Sequence, residues 1–257
     1  MLGFARRQAT IEEAGALGAI DAGSLKFDAI AEADLVVLCA PVLALAPLCA
    51  AMMPHLRPGA LVTDVGSTKA ALVERLDALL PAGVDLVGGH PMAGSERVGV
   101  SAASETLFEG ATWVLTRASR TQDASVERLA QLVRALGATP VEMDPRQHDA
   151  AVARISHLPH IAAAALAAAA VQGGVPEEVL RLLVAGGFKS TTRIAASSPE
   201  MWRDICLDNR EAILAALTDY ETALAVFRAA LAAGDSEALL ERFAKGKKAR
   251  DGLAPPT

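Results

Sequence analysis

A histidine between glycines is the side chain best suited to proton transfer in this sequence. His90 lies within residues 88–96, which read Gly-Gly-His-Pro-Met-Ala-Gly-Ser-Glu and follow an apolar run. Imidazole has an unperturbed pKa of about 6.5, so it can act as a general base near neutral pH. The glycines would let the backbone come close to a ligand. A lone loop histidine is more often an ordinary surface residue, but this setting favours a functional one.

A polar turn follows another apolar run at residues 64–69, Asp-Val-Gly-Ser-Thr-Lys. Ligands of open α/β sheets bind at the carboxyl ends of the strands, which makes this turn a candidate binding site. The alternative is a helix cap, in which Ser67 or Thr68 satisfies free N–H groups of the following helix. Chemistry alone leaves both interpretations open.

Two histidines lie close together in residues 156–160, Ser-His-Leu-Pro-His. No Asp, Glu or Cys stands at ligand spacing in the same helix, so we expect no metal site. The functional interpretation is a polar contact to a substrate where this helix faces the first half of the chain. The alternative is one exposed and one packed histidine.

Residues 186–195, Gly-Gly-Phe-Lys-Ser-Thr-Thr-Arg-Ile-Ala, form the last polar segment. The guanidinium of Arg193 is a planar fork that can bind a carboxylate through two hydrogen bonds. A Lys/Arg pair beside small polar residues is therefore a candidate anion site. Taken alone, the segment fits a solvated loop better than an anion site.

The composition limits the classes of partner. The chain of 257 residues carries 24 Lys+Arg against 30 Asp+Glu, a net charge of −6, so it has no general attraction for nucleic acid or anionic membranes. Its three cysteines have no paired spacing, which indicates a reducing compartment. The start lacks a signal-peptide pattern, and the alanine-rich residues 161–171 fall short of the about 20 needed to span a bilayer. We expect a soluble, cytoplasmic protein without membrane or nucleic-acid partners.

Alternating apolar runs and helical patterns position these residues in the first half. Unbroken apolar runs are typical of strands buried on both faces of a parallel sheet. Helical patterns lie between them at residues 68–80 and 124–136, which predicts a doubly wound α/β domain. The four predicted strands are residues 35–40, 61–65, 85–89 and 113–116.

The second half is predicted to be entirely helical. Residues 146–172 indicate one long helix kinked at Pro159, and Ser198 with Pro199 begins a helix that runs to about Ala233. A helix over 30 residues long favours dimerisation. We therefore divide the chain into an α/β domain at 1–145, a helical domain at 146–246 and a flexible tail at 247–257.

In this order, the four polar segments together resemble the prephenate/arogenate dehydrogenase family. The Asp-Val-Gly-Ser-Thr-Lys turn, the Gly-Gly-His-Pro-Met-Ala-Gly-Ser-Glu stretch, the Ser-His-Leu-Pro-His helix and the Phe-Lys-Ser-Thr-Thr-Arg-Ile-Ala segment with its downstream Met-Trp-Arg-Asp all match. The resemblance implies a Rossmann-like domain followed by an all-helical dimerisation domain, and hence a homodimer. It also implies oxidative decarboxylation of prephenate to 4-hydroxyphenylpyruvate, or of arogenate to tyrosine, with hydride transfer to NAD or NADP.

The resemblance also implies roles for single residues. His90 takes the proton of the substrate hydroxyl, and Ser67 orients that hydroxyl and contacts the cofactor. Arg193 binds a substrate carboxylate, and His160 contacts the substrate side chain. Glu96 and Trp202 match positions near the mouth of the pocket.

The start of the chain departs from the family. Members open with a strand, a Gly-x-Gly-x-x-Gly turn and a helix, whereas residues 2–5 here correspond to the end of the second strand. We therefore expect the natural product to begin about 30 residues earlier, the length of that missing unit. A chain that starts at Met1 should therefore bind either cofactor weakly.

The cofactor is expected to be NADP rather than NAD. Ala5 stands where an acid would hold the ribose of NAD, and Arg6 and Arg7 follow it beside the position of a 2′-phosphate. Pro41, which ends an apolar run, and Ser67 complete the candidate cofactor residues. The alternative is that both arginines form a solvated basic turn.

Two rival functions stay open. One is a 3-hydroxyacid-type dehydrogenase with Rossmann and helical domains. Those enzymes usually carry a catalytic lysine on the first long helix of the helical domain, and residues 146–172 contain none. The other is a truncated, cofactor-free relative that binds ligands or dimerises.

Overall fold

Two sheets organise the first half of the chain in this computed structural model, which describes residues 1–94 and 99–253. The strands are β1 (Leu2–Phe4), β2 (Ala22–Ser24), β3 (Leu35–Leu38), β4 (Leu61–Asp64), β5 (Asp85–Pro91), β6 (Thr112–Arg117) and β7 (Thr139–Glu142). The larger sheet has the order β3-β4-β5-β6-β7, and β1 pairs with β2 in a separate parallel sheet. All four predicted strands form.

One strand pair is antiparallel, which the expectation of a parallel sheet did not include. β5 and β6 run in opposite directions, whereas β3–β4, β4–β5 and β6–β7 are parallel. Parallel neighbours need a crossover, usually a helix. Along the described part of the β5–β6 connection the only helical element is a 3₁₀ turn at Val100–Ala102. β7 was not predicted, because its run of four residues is short and holds Pro140 and Glu142.

Helices cover both faces of the larger sheet, as the Rossmann-like prediction requires. Alternate residues of one strand enter different cores, since successive side chains point to opposite faces. Val62 packs in the core with α2 (Val42–Met52) and α3 (Ala70–Leu79), whereas its neighbour Leu61 packs in the core with α4 (Asp123–Ala135). The unbroken apolar runs thus reflect burial on two faces. In this half the helices are α1 (Gln8–Ala16), α2 (Val42–Met52), α3 (Ala70–Leu79) and α4 (Asp123–Ala135).

The second half is helical among the residues that the structure describes, but its predicted long helices are interrupted. A π-helical turn at Ala153–His157 divides residues 145–170, so the interruption precedes Pro159 instead of centring on it. Pro159 lies in the first turn of the next helix, where a missing N–H is tolerated. The helices are α5 (Pro145–Val152), α6 (Leu158–Ala170), α7 (Glu177–Leu183), α8 (Gly186–Thr192), α9 (Pro199–Asp208), α10 (Arg210–Ala233) and α11 (Ser236–Leu253).

The predicted single helix from Pro199 to Ala233 is wrong, because Asn209 separates α9 from α10. Ser198 does cap α9 as expected, accepting from the backbone N–H of Met201. Asn209 is buried, and its side-chain amide donates to the backbone carbonyl of Asp149 at 2.9 Å. This tertiary contact outweighs helical continuity at that position.

By its internal contacts the chain divides into compact units at residues 1–210 and 211–257. This division does not coincide with the predicted boundary near residue 145, which stays a prediction. Within the second unit, Phe227 and Phe243 pack edge to face with centroids 5.2 Å apart. α11 continues to Leu253, so residues 247–253 of the predicted flexible tail are helical.

Among the described residues, one helical stretch has the length and composition to cross a membrane. It comprises residues 145–170, in which the most apolar 18-residue window has a mean hydropathy of 1.2 and is 22 % buried. Core helices of soluble proteins also meet this criterion of length and composition. His148 and Asp149 in this stretch are buried and hydrogen-bonded to the α/β half.

Candidate functional site

His90 lies near the carboxyl end of β5, in the interior of the first half. It is 9 % exposed and stands opposite Val114 of β6. Its Nδ1 atom is 2.8 Å from Nε2 of His148, with the rings edge to face. Nδ1 is therefore hydrogen-bonded within the protein, which leaves Nε2 as the ring nitrogen that can bind a ligand.

A buried ion pair joins the ends of β4 and β5. The Lys69 ammonium contacts the Asp64 carboxylate, and both side chains are 0 % exposed. Asp64 also accepts from the backbone N–H of Gly66 at 2.8 Å and of Gly89 at 3.1 Å. Each carboxylate oxygen thus has a donor, which fixes the turn after β4 beside the strand that carries His90.

The glycines before His90 are needed for strand packing. A Cβ on Gly88 would collide with the hydroxyl of Thr116 on β6. A Cβ on Gly89 would lie 2.5 Å from the backbone oxygen of Asp64 on β4. The close approach that these glycines permit is therefore between strands, and the suggestion that they admit a ligand is not supported by these contacts.

A residue from the second half caps α3. The Asp149 carboxylate accepts from the backbone N–H of Lys69 at 2.7 Å and of Ala70 at 2.8 Å. Anions are stabilised at helix N-termini by these free donors and by the helix dipole. The interpretation of Ser67 or Thr68 as the cap of this helix is wrong, since Asp149 fills that role.

The two hydroxyl residues of the turn have different surroundings. Thr68 is buried and its hydroxyl donates to the Asp208 carboxylate, which also pairs with Arg75. Ser67 is half-buried, and its hydroxyl has no hydrogen-bond partner within the described part of the chain. The Ser67 hydroxyl is therefore an unused donor and acceptor in the turn after β4.

The histidines of the helical half pack around Trp202. The His160 ring stacks on the indole with centroids 3.6 Å apart, and its Nδ1 bonds the Ser156 carbonyl at 2.9 Å. His157 meets the same indole edge to face at 5.9 Å. His157 is buried and receives a hydrogen bond on Nδ1 from Asn209 at 3.2 Å. One histidine is thus half-exposed and the other packed.

Electrostatic neighbours connect the two halves of the site. Burial lowers the pKa of His90 to about 2, and the charges of Lys69, His148 and His157 add to that effect. Burial likewise lowers the pKa of His157 to about 4, with His148 and His160 among the neighbours that lower it further. His90 is consequently neutral throughout the physiological range.

Arg193 lies beside this cluster. It begins a 3₁₀ turn at Arg193–Ala196, and its side chain is exposed. Burial lowers the pKa of His160, and the positive charge of Arg193 lowers it further. The structure thus brings His90, His160, Trp202 and Arg193 into one neighbourhood, linked through His157.

The candidate cofactor residues lie elsewhere on the first half. Ala5 directly follows β1, and exposed Arg6 and Arg7 lead into α1. Neither arginine has an ion-pair partner among the residues that the structure describes. Pro41 is exposed at the start of α2, after β3. Glu96 lies outside the described residues.

His148 and Asp149 are the site residues that the sequence analysis missed. Both are buried on α5, and the residues four positions later, Val152 at the end of α5 and Ala153 at the start of the π-helical turn, are buried too. Residues four apart share a helix face, so two polar residues aligned with buried apolar ones were the available signal. Within residues 1–94 and 99–253, no group of three or more His, Cys, Asp or Glu side chains is arranged to hold a metal.

Family models cover nearly the whole chain. Residues 1–142 match the model described as the nucleotide-binding domain of prephenate dehydrogenase. Residues 144–245 match the model described as the prephenate dehydrogenase dimerization domain.

Individual relatives give the same result. The chain is 43 % identical over 193 residues to a prephenate dehydrogenase of Bacillus subtilis, covering 75 % of this chain and 52 % of that protein. It is 36 % identical to a cyclohexadienyl dehydrogenase of Zymomonas mobilis, covering 87 % of this chain and 76 % of that protein. The chain therefore spans about half the length of the Bacillus relative.

A solved structure shares the fold. A prephenate dehydrogenase from A. aeolicus, in complex with hydroxyphenyl propionate and NAD+, superimposes with a TM-score of 0.91 at 32 % identity. The match covers 98 % of this chain and 88 % of that one.

Proposed function

Since this chain belongs to the prephenate dehydrogenase family, we propose that it catalyses oxidative decarboxylation of prephenate or arogenate with hydride transfer to a nicotinamide cofactor. The observation that carries the proposal is His90, a neutral histidine held by one nitrogen near the carboxyl end of β5. When bound, the cofactor accepts the hydride. The residues of this chain must take the hydroxyl proton and hold the substrate.

A neutral, unprotonated base suits this reaction. The pKa of His90 is lowered to about 2, mainly by burial, so the ring is unprotonated and ready to accept. As the hydride leaves the alcohol carbon, the hydroxyl turns into a protonated carbonyl, which is a strong acid. His90 therefore needs correct placement and neutrality more than high basicity. Ser67, with a hydroxyl at the end of β4, would orient the reacting group.

Arg193, His160 and Trp202 would bind the substrate on the helical side. The exposed guanidinium of Arg193 can hold a carboxylate through two hydrogen bonds, leaving the ring carboxylate to depart as carbon dioxide. His160 would contact the substrate side chain, with its ring position fixed by the stack on Trp202 and by the Ser156 carbonyl.

Arg6 and Arg7 fit an NADP cofactor. Both guanidinium groups are exposed after β1, without an ion-pair partner in the described ranges, so they are available to a 2′-phosphate. Ala5, Pro41 and Ser67 would line the remainder of the cofactor path. Replacing both arginines with alanine should raise the KM for NADP about tenfold or more and leave the KM for NAD nearly unchanged. Better use of NAD than of NADP by the parent chain would show this interpretation to be wrong.

The proposed activity is tested by incubating the purified chain with prephenate or arogenate and with NAD or NADP. With at least one substrate and one cofactor, reduced nicotinamide and carbon dioxide should both form, and His90→Asn should abolish most of this turnover. Substrate binding without turnover in all four combinations would contradict the proposal and favour the cofactor-free alternative.

We also propose that the protein is a cytoplasmic homodimer, because residues 144–245 match a dimerization domain. Large apolar side chains in the second unit are exposed in the single chain, including Leu231 at 66 %, Leu240 at 72 % and Phe243 at 68 %. A second copy would remove them from water. Sedimentation equilibrium should give twice the chain mass of 26.5 kDa.

A further inference from the structure

A continuous line of buried hydrogen bonds leads away from His90. Its Nδ1 contacts Nε2 of His148 at 2.8 Å, and Nδ1 of His148 contacts the Asp149 carboxylate at 2.8 Å. His148 is 1 % exposed and Asp149 is 5 % exposed, so water does not replace either contact. The line ends at the backbone N–H groups of Lys69 and Ala70, where α3 begins.

The donors and acceptors of this line can have only one order when both rings are neutral. An ionised carboxylate only accepts hydrogen bonds, so Nδ1 of His148 carries the proton that points at Asp149. A neutral imidazole has one N–H, so Nε2 of His148 must accept. The partner that donates to it is Nδ1 of His90. The lone pair of His90 is thereby placed on Nε2.

We propose that His148 and Asp149 are positioning residues for His90, which fix its tautomer and accept the proton that it passes on. This inference rests on the proposed function, which supplies the substrate hydroxyl. In the step, the bond between the hydroxyl oxygen and its proton breaks, and the proton binds Nε2 of His90. The Nδ1–H bond of His90 then breaks, and its proton binds Nε2 of His148. One proton enters the line, and the positive charge ends on the ring that contacts a carboxylate.

The surroundings of His90 show why a second ring is useful. Burial lowers the pKa of His90, and the charges of two neighbours lower it further: Lys69 in the turn after β4 and His157 in the π-helical turn. A positive charge on His90 is therefore disfavoured. The Asp64 carboxylate is the counterion of Lys69. Asp149 is the carboxylate in direct hydrogen-bond contact with a ring of this line. Transfer to His148 therefore moves the charge to its counterion.

His148→Phe tests the tautomer directly, because phenylalanine retains a flat ring and removes both nitrogens. Ring ¹⁵N spectra distinguish a protonated from an unprotonated imidazole nitrogen, and His90→Asn identifies the His90 signals by their loss. The parent chain should show Nδ1–H and a bare Nε2 on His90, and His148→Phe should show a mixture of tautomers. The matched control is His157→Phe, the same change at a buried histidine nearby, which should leave the His90 signals in the parent pattern.

His148→Gln separates tautomer fixing from proton uptake. The amide oxygen can accept from Nδ1 of His90, so the parent tautomer should persist, yet an amide cannot take the proton. We expect kcat to fall about 100-fold while KM stays within twofold, since His148 does not touch substrate. A parent His90 protonated on Nε2, or a His148→Gln kcat within threefold of the parent, would overturn the proposal. The spectra need no substrate, so the expected spectra with no turnover by the parent would refute the proposed function and still support the fixed tautomer.

Discussion

Replacing Lys69 with methionine should destabilise the first half of the chain strongly. The ammonium of Lys69 is fully buried against Asp64, and methionine fills a similar volume without a charge. The change leaves the Asp64 carboxylate inside the protein with two backbone N–H donors and no counterion. A buried charge without a counterion is costly, because the desolvation that the pair once offset remains.

The expected loss is about 3–5 kcal/mol in the free energy of unfolding, the range for removing one member of a buried ion pair. The two remaining hydrogen bonds to Asp64 place the result toward the lower end. Asp64→Asn combined with Lys69→Met should recover part of the loss, since the double variant buries no charge. Arg181→Met is the matched control: its pair with Glu177 is mostly exposed and should contribute about 0.5 kcal/mol or less.

Urea unfolding of the four proteins, followed by circular dichroism, gives the comparison. Equal slopes with denaturant would show that the change lies in stability and not in the unfolded state. A Lys69→Met loss below about 1 kcal/mol, or a loss no larger than that of Arg181→Met, would refute the argument that this pair is an essential buried contact.

Three further predictions follow from the site. His90→Asn should lower kcat by about 10²–10⁴ with little change in KM, because it removes the base and retains the volume; a rate near that of the parent would exclude His90 as the base. Arg193→Ala should raise the KM for the substrate by roughly 30- to 150-fold, which corresponds to the loss of a charge-assisted contact of about 2–3 kcal/mol. Arg193→Lys should restore binding poorly, because lysine lacks the planar fork. An unchanged KM would show that another residue binds the carboxylate, with Arg154 or Lys189 next to test. Because the pKa values of His90 and His157 are lowered to about 2 and about 4, the unfolded chain binds protons below pH 6.5 that the folded chain does not. The free energy of unfolding should therefore fall with decreasing pH between about 6.5 and 4, by roughly 1 kcal/mol per pH unit for each histidine. Denaturation at pH 7.5 and 5.5 should show this fall, and His157→Phe should remove roughly half of the slope because His90 still contributes. A flat profile for the parent chain would contradict the assignment.

Local patterns in the sequence were sufficient for most of the fold. The apolar run that includes Val36 and Val37 predicted β3, and Ser198 with Pro199 located the start of α9, because propensity, capping and strand burial act over a few neighbouring residues. The motif around His90 pointed to the residue that the structure holds in a buried hydrogen bond. The order of the polar segments was also sufficient to indicate the family.

Contacts between distant parts of the chain were decided by the tertiary structure alone. Asp149 caps a helix that begins about 80 residues earlier and also orients His148, and neither contact leaves a local pattern. α9 ends before Asn209, whose side chain donates a hydrogen bond to the Asp149 carbonyl, whereas the sequence pattern predicted that the helix continues through this position. A hydrogen bond between buried groups depends on which elements pack together, and that packing is set by the whole core. The sequence therefore determined which side chains can bind or transfer a proton, whereas the tertiary structure determined which of these side chains are hydrogen-bonded to one another.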